Sequence, residues 1–226
     1  MDRIQLKAKA KQQIRGNIGI LFVIALIIGV ISTVASAVLG FIPIVGAIVY
    51  SVLISPAFTL SFIMVYINLV AGKKPEAGDA FNGFYDFWSA FKVQFFVGLF
   101  TFLWSLLFIV PGIVKAYSYS MAMNVLAENP GMPALEAIRR SKEMTEGRKM
   151  DLFVLELSFL GWELVGVITF GIAYIWVIPY MCATFINYYN AMKPAAEEPV
   201  WAEAIEAPAP EEPVTEKVED EEPKEE

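Results

Sequence analysis

The sequence contains no histidine and only one cysteine. Histidine is the commonest general base and metal ligand in proteins, so its absence excludes Ser-His-Asp triads and Cys-His nucleophiles. The single Cys182 can form no internal disulfide, and alone it cannot build a zinc site. We therefore expect a protein that is not an enzyme, with no catalytic residue, no metal and no cofactor.

Charge is also scarce. Of the 226 residues, 18% are charged and 57% are hydrophobic, and the mean hydropathy is +0.55. A soluble domain has about 25% charged and about 45–50% apolar residues, so the composition indicates a membrane protein. Residues 193–226 hold 3 lysines and 13 acidic residues, a net charge of −10. We expect this Glu-, Pro- and Ala-rich segment to be a disordered cytoplasmic tail and assign residues 1–192 to an integral membrane domain.

Long uncharged runs predict the membrane helices. Residues 16–72 are 57 consecutive uncharged positions, enough for two spans of about 20 residues each. The breakers of FIPIVG (41–46), Pro111-Gly112 and Thr169-Phe170-Gly171 predict three turns. The helices that these turns join are predicted at 17–40 and 45–71, at 92–110 and 113–128, and at 152–168 and 172–191. The predicted fold class is all-α, a polytopic membrane helical bundle of about six membrane helices arranged as three hairpins, with interfacial amphipathic helices.

The basic residues give this bundle an orientation. The N-terminus, the 72–91 loop, the 129–151 loop and the tail share one predicted side, which receives every basic residue except Lys115. Because basic residues concentrate on the cytoplasmic side of membrane proteins, both termini are predicted to be cytoplasmic. We expect a multi-pass protein of the plasma membrane.

Two segments on that side have amphipathic patterns. GDAFNGFYDFWSAFK (78–92) predicts a helix with Asp79 as its N-cap and an aromatic face suited to the lipid headgroup boundary. The predicted membrane-interface residues of this face are Phe81, Phe84, Tyr85, Trp88 and Phe91. The face could simply anchor the protein, or it could bind lipid. A second surface helix is predicted at 133–146, and this helix or the acidic tail could bind a protein partner.

Three ionisable residues fall within the predicted membrane helices: Lys115, Glu156 and Glu163. Such groups are usually functional and often paired, so they form a candidate intramembrane polar site. Glu156 and Glu163 are seven residues apart, on one face of a continuous helix and about 10 Å apart along it. Counted from the outer turns, Lys115 and Glu163 lie at depths that would let them meet. The alternative is that Lys115 extends to the outer headgroups.

Small residues recur at every fourth position of the first predicted helix, at Ala25, Gly29, Thr33 and Ala37. Such a ridge permits close approach of two helices in lipid. It predicts that the first helix packs on the second through these residues.

Several stretches together resemble a known family. They are AKQQIRGN near the N-terminus, then VPGIVKAYSYSMAMNVLAENP, ALEAIRRSKEMTEGRK, LFVLELSFLGWELVG and GIAYIWVIPYMCATFINYY. They resemble a bacterial family of integral membrane proteins, the domain-of-unknown-function family 975, over about residues 1–192. Met150 and Cys182 depart from the family pattern, which has tryptophan and often glutamine there. The helix ending in SKEMTEG is also distantly similar to the membrane domain of some glycerophosphodiester phosphodiesterases. These resemblances imply architecture and no catalytic residue.

Two functions from different classes fit these observations. The favoured one is a nonenzymatic membrane module that organises lipids or recruits partners. The alternative is a transporter of a small solute or lipid that uses the intramembrane charged residues. Membrane lipids are the expected partners and nucleic acid is not, while the sequence leaves the oligomeric state open.

Overall fold

A computed structural model describes residues 3–39 and 49–193 of the chain. Within these two ranges the protein is helical and has no β-strand. The predicted FIPIVG turn at 41–46 lies outside the described residues, and so does the acidic tail after Lys193. The all-α class is confirmed for the part that the structure describes.

The first helices run in one piece where the sequence predicts them. Helix α1 spans Arg3–Gln13 and α2 spans Ile18–Leu39. Gly16, at φ 87°, forms the turn between them, a backbone conformation that glycine adopts without strain. Helix α2 contains no charged residue, and within residues 18–38 only Leu21 and Ile24 are fully buried. The predicted first span at 17–40 is therefore confirmed to within about a residue.

Helix α3, Ser55–Val70, is the centre of the structure. It follows a π-helical turn at Tyr50–Ile54, in which the Ser55 N–H bonds to the Tyr50 carbonyl five residues back. Pro56 comes next, and its missing N–H explains why the regular ladder cannot continue through this point. In the most apolar 18-residue stretch of Tyr50–Val70, 50% of the residues are buried. The corresponding fraction is 11% in α2 and 11% in the helix Phe87–Leu107. The other elements therefore pack around α3.

The aromatic segment 78–92 is not one helix, and that prediction is wrong. A 3-10 helix spans Ala77–Phe84, and α4 begins only at Phe87 and runs to Leu107. Asp79 is not the N-cap: Glu76 is, and the Asp79 carboxylate accepts the Glu76 N–H at 2.9 Å in a capping box. Between the two helices, the Asp86 carboxylate accepts the Gly131 N–H, 2.7 Å away, from a distant loop.

The second predicted hairpin turns three residues earlier than predicted. Phe108 is extended, with φ −157° and ψ 142°, and it separates α4 from α5, Ile109–Tyr119. Pro111 lies in the first turn of α5, where the helix needs no N–H donor from it. Gly112 lets the two helices approach closely, because a Cβ there would come within 2.2 Å of the Ser105 Oγ.

The predicted helix 113–128 is also broken, at Ser120 and Met121, before α6 at Ala122–Glu128. Helix α7, Ala134–Thr145, supplies the partners that the break requires. Its Ser141 hydroxyl donates to the Ser118 carbonyl at 2.9 Å and accepts the Met121 N–H at 3.2 Å. The helix predicted at 133–146 is confirmed in position, and Gly147, at φ 73°, lies just beyond its end.

In the last predicted hairpin, the turn is found where the sequence predicts it, but the first helix is broken into two. Residues 152–168 form two helices, α8 at Lys149–Leu157 and α9 at Leu160–Ile168. At the break Phe159 turns inward, fully buried against the rings of Tyr180 and Phe185. The turn at Thr169–Gly171 is confirmed, with Gly171 at φ 90°, and it leads into α10, Tyr174–Met192.

These breaks change the number of helices able to cross a membrane. The described residues contain three that are long and apolar enough, at Ile18–Val38, Tyr50–Val70 and Phe87–Leu107. Helices α5, α8 and α9 have 11, 9 and 9 residues, about 13–16 Å at 1.5 Å per residue, against a hydrocarbon core of about 30 Å. The expectation of about six membrane helices is therefore wrong for the described chain.

The predicted ridge on α2 does not pack. Gly29, Thr33 and Ala37 are exposed, and a Cβ added at Gly29 would meet no atom within 4 Å. The Thr33 hydroxyl donates to the Gly29 carbonyl of its own helix at 2.8 Å. Helix α2 packs instead on the 3-10 helix and on α10.

Gly83 is the tightest contact between the 3-10 helix and α3 and provides a test of this packing. A Cβ there would lie 2.2 Å from the Ala57 carbonyl oxygen and 2.5 Å from the Ser61 nitrogen, both backbone atoms that cannot move aside. We expect Gly83→Ala to destabilise the protein by about 1–3 kcal/mol, measured by denaturant unfolding in mild detergent. The matched control is Gly98→Ala on α4, which meets no atom within 4 Å and should be neutral or stabilising. Equal stability of the two variants would contradict the packing described.

Candidate functional site

Lys115 and Glu163 do not form the ion pair that their depths suggested. The Lys115 Nζ lies over the Trp104 ring, 4.6 Å from its centroid, and no salt bridge joins Lys115 to any acid in 3–39 or 49–193. The reason is the turn at Phe108, which folds the start of α5 back along the end of α4. Lys115 is thereby placed beside an aromatic ring of its own hairpin.

Glu156 and Glu163 are separated by the break at Ser158 and Phe159, so they no longer share one helix face. The Glu156 carboxylate on α8 accepts a hydrogen bond from the Tyr117 hydroxyl on α5. Glu163 is half-buried on α9, and its backbone carbonyl accepts the Tyr174 hydroxyl at 3.1 Å. The three predicted site residues therefore occupy three different environments.

Glu156 lines a cavity that the sequence does not reveal. The cavity has a volume of about 470 Å³ and lies between α5, α6, α8 and α10. Its walls combine polar groups with aliphatic and aromatic side chains, among them Tyr117, Ser120, Asn124, Leu152, Glu156 and Phe185. Only Glu156 among them was predicted as a site residue. No sequence signal identifies the others, because they come from four helices that are distant along the chain.

The predicted interfacial aromatics are largely exposed. Tyr85 and Trp88 are 92% and 65% exposed, Phe81 and Phe84 are 45% and 41% exposed, and Phe91 is half-buried. Phe84 also packs edge-to-face on Phe58 of α3, with ring centroids 5.0 Å apart. The segment is thus fixed to the central helix on one side and presents aromatic rings on the other.

The two arginines of α7 pair with acidic residues of the same helix. The Arg139 guanidinium donates to Glu136 at 2.5 Å and to Glu143 at 2.7 Å. The hydrogen bonds from Arg139, and next those from Arg140, hold the pKa of Glu136 at about 2. These contacts balance the charge on the exposed surface of α7, as expected from i,i+3 and i,i+4 spacing.

A buried ion pair joins the start of the tail to the packed helices. Lys193 pairs with Glu128 at the end of α6, and the side chains are only 10% and 5% exposed. The Tyr189 hydroxyl donates to the other Glu128 oxygen at 2.8 Å. This cluster was not predicted, because Lys193 falls within the segment that was predicted to be a disordered tail.

The contact between Lys115 and Trp104 predicts a specific pattern of coupling. A double-mutant cycle of Lys115→Met and Trp104→Leu should give a coupling energy of about 0.5–1 kcal/mol for unfolding in mild detergent. A second cycle of Lys115→Met with Glu163→Gln should be additive within about 0.5 kcal/mol, because those side chains form no ion pair. Coupling in the second cycle with additivity in the first would instead support the Lys115–Glu163 ion pair that the sequence predicted.

The Lys193–Glu128 pair predicts an asymmetric response to substitution. Lys193→Met leaves a buried carboxylate without its counter-ion and should cost about 3 kcal/mol of unfolding free energy. The double variant Glu128→Leu/Lys193→Met removes both charges and should be more stable than the single variant. Measured unfolding midpoints that place the double variant below Lys193→Met would show that the pair is not buried as described.

Comparison with known proteins places the chain in one family. A family model described as "Protein of unknown function (DUF975)" matches residues 1–118 and 109–196. No curated protein matches the chain. No solved structure matches it either. The two matched segments together cover most of the chain, which therefore belongs to the DUF975 family of proteins of unknown function.

Proposed function

We propose that the chain is an integral protein of the plasma membrane and that it acts as a nonenzymatic module that organises lipids or recruits partners there. The observation that carries this proposal is the division of the described structure into two parts. One part buries its core, whereas the other exposes large apolar side chains on α2, on the hairpin of α4 and α5, and around the turn from α9 to α10. At the tips Phe108 is 69% and Phe170 98% exposed. Apolar surface of this extent is unfavourable in water and favourable in lipid.

The distribution of charge supports an orientation in the membrane. Charged residues are absent from α2 and from Val93 to Leu107 of α4, whereas the basic residues of α1, the 72–91 loop and α7 lie in the other part of the molecule. By the preference of basic residues for the cytoplasm, the packed part and both termini are cytoplasmic. The exposed rings of Tyr85 and Trp88 then suit the headgroup boundary.

The polar side chains favour a module over the alternative, a transporter of a small solute or lipid. A transport pathway requires ionisable groups that face a common route through the membrane. Lys115 contacts Trp104, Glu156 contacts Tyr117, and Glu163 lies on a separate helix. Because the three residues are dispersed, they do not line a continuous pathway for transport. This favours a role in binding at the membrane.

Single-cysteine labelling tests the orientation. In a Cys182→Ser background, Lys73→Cys should react with a membrane-impermeant maleimide only from the cytoplasmic face, because Lys73 is exposed in a basic loop. Phe170→Cys should be protected from reagent on that face. Lys142→Cys on α7 is the matched control and should behave as Lys73→Cys does. Release of the chain from membranes by alkaline carbonate, or cytoplasmic labelling of Phe170→Cys, would overturn the proposal.

Reconstitution distinguishes the module from the transporter. Vesicles containing the purified chain should pass protons and potassium no faster than protein-free vesicles do. Native mass spectrometry of the chain from mild detergent should show retained lipid or a retained partner. A protein-dependent flux would favour the transporter.

A further inference from the structure

The cavity beside Glu156 presents several hydrogen-bond acceptors, and its hydroxyl donors are already engaged. The Tyr117 hydroxyl donates to the Glu156 carboxylate, and the Ser120 hydroxyl donates to the Tyr117 carbonyl at 2.9 Å. The Asn124 amide directs one N–H to the Met121 sulfur, 3.7 Å away, which leaves its second N–H and its oxygen for a ligand. The cavity therefore offers a ligand mainly oxygen acceptors.

The cavity is also negatively charged. Glu156 forms no salt bridge with any residue in 3–39 or 49–193. Lys7 reaches the same end of α8, but its ammonium donates to the Ser158 hydroxyl at 2.7 Å and lies over the Phe159 ring, 4.2 Å from its centroid. A carboxylate with a tyrosine hydroxyl as its neighbour and no counter-ion attracts a cation and repels an anion.

The remaining walls suit an organic cation. The rings of Tyr117 and Phe185 line the cavity with the aliphatic side chains of Ile113 and Leu152. Aromatic faces attract ammonium groups, and aliphatic walls accept the carbon atoms that carry them. A volume of about 470 Å³ lies in the range of small-molecule sites and holds a headgroup, not a whole phospholipid.

We propose that this cavity binds the ammonium group of an amphiphile, with Glu156 as its counter-ion and the oxygens of Asn124 and Ser120 as hydrogen-bond acceptors. The inference rests on the proposed function, because it names the lipid chemistry that the module recognises. Two sources supply that chemistry: an amine-bearing phospholipid headgroup from the bilayer, and a free long-chain amine. An acidic phospholipid headgroup is disfavoured by the unpaired carboxylate.

Lipid competition on the full chain tests the selectivity. The protein in mild detergent is given equal amounts of phosphatidylethanolamine and phosphatidylglycerol, and retained lipid is measured by native mass spectrometry. We expect the ethanolamine lipid to be enriched at least fivefold over the glycerol lipid. Glu156→Gln should abolish the enrichment and Glu156→Asp should keep part of it. Glu163→Gln is the matched control, since it makes the same change outside the cavity and should leave the enrichment intact.

A second measurement identifies the source of the amine. Dodecylamine, with dodecanol as the uncharged control, is added and the unfolding midpoint is measured for the wild type and for Glu156→Gln. If dodecylamine but not dodecanol stabilises the wild type, if Glu156→Gln loses this effect and if no lipid is enriched, the ligand is a free amine. If the ethanolamine lipid is enriched, the ligand is the phospholipid headgroup. Either result supports the proposal.

Other outcomes overturn it. The proposal is wrong if the wild type retains the two lipids equally and responds equally to dodecylamine and dodecanol. This test uses only the wild type, so it remains valid even if Glu156→Gln fails to fold. Loss of enrichment in Glu163→Gln as well as in Glu156→Gln would also overturn the proposal. Failure of the proposed function is a different result: the chain would be released by carbonate and retain no lipid of either class.

Discussion

Wherever a helix ends in apolar surroundings, its free N–H and C=O groups need partners, and this constraint shapes the molecule. The break at Ser120 and Met121 shows how it is met. Ser141 of α7 donates to the Ser118 carbonyl and also accepts the Met121 N–H. At the end of α3, the Gln13 side chain donates to the Val70 carbonyl at 3.2 Å and accepts from Asn187 at 2.6 Å. Helices α1 and α7 thus contribute directly to the core, although the sequence predicted a surface helix at 133–146.

This arrangement explains why the two parts of the structure differ. Side chains that satisfy helix breaks are available where α1, α6 and α10 pack on α3 and where α7 packs on α6, and there the core is dense. In the other part α2 and α4 continue as long, regular helices, which satisfy their own backbone and can therefore expose an apolar surface to lipid.

Three charged side chains have partners of different origin: one within its own hairpin, one within its own helix and one on another helix. Lys115 lies on a ring of its own hairpin, Arg139 pairs within α7, and Lys193 is buried with Glu128. Glu156 differs, since its neighbour is a tyrosine hydroxyl and not a cation. No salt bridge within the described residues offsets the charge of this carboxylate, which is the basis of the ligand that we infer.

The sequence by itself determined the helical class, the positions of α2 and of α7, the turn at Thr169–Gly171 and the lack of charge along the spans. These follow from local composition, which needs no knowledge of distant residues. Only the tertiary structure decided that helices break at Phe108, at Ser120 and at Ser158, because the groups that stabilise two of these breaks come from Ser141 and Lys7, far away in the chain. The same reason accounts for the candidate site. Local pattern identified Lys115, Glu156 and Glu163 as unusual, but which side chain each one contacts depends on how α4, α5, α8 and α10 pack against one another.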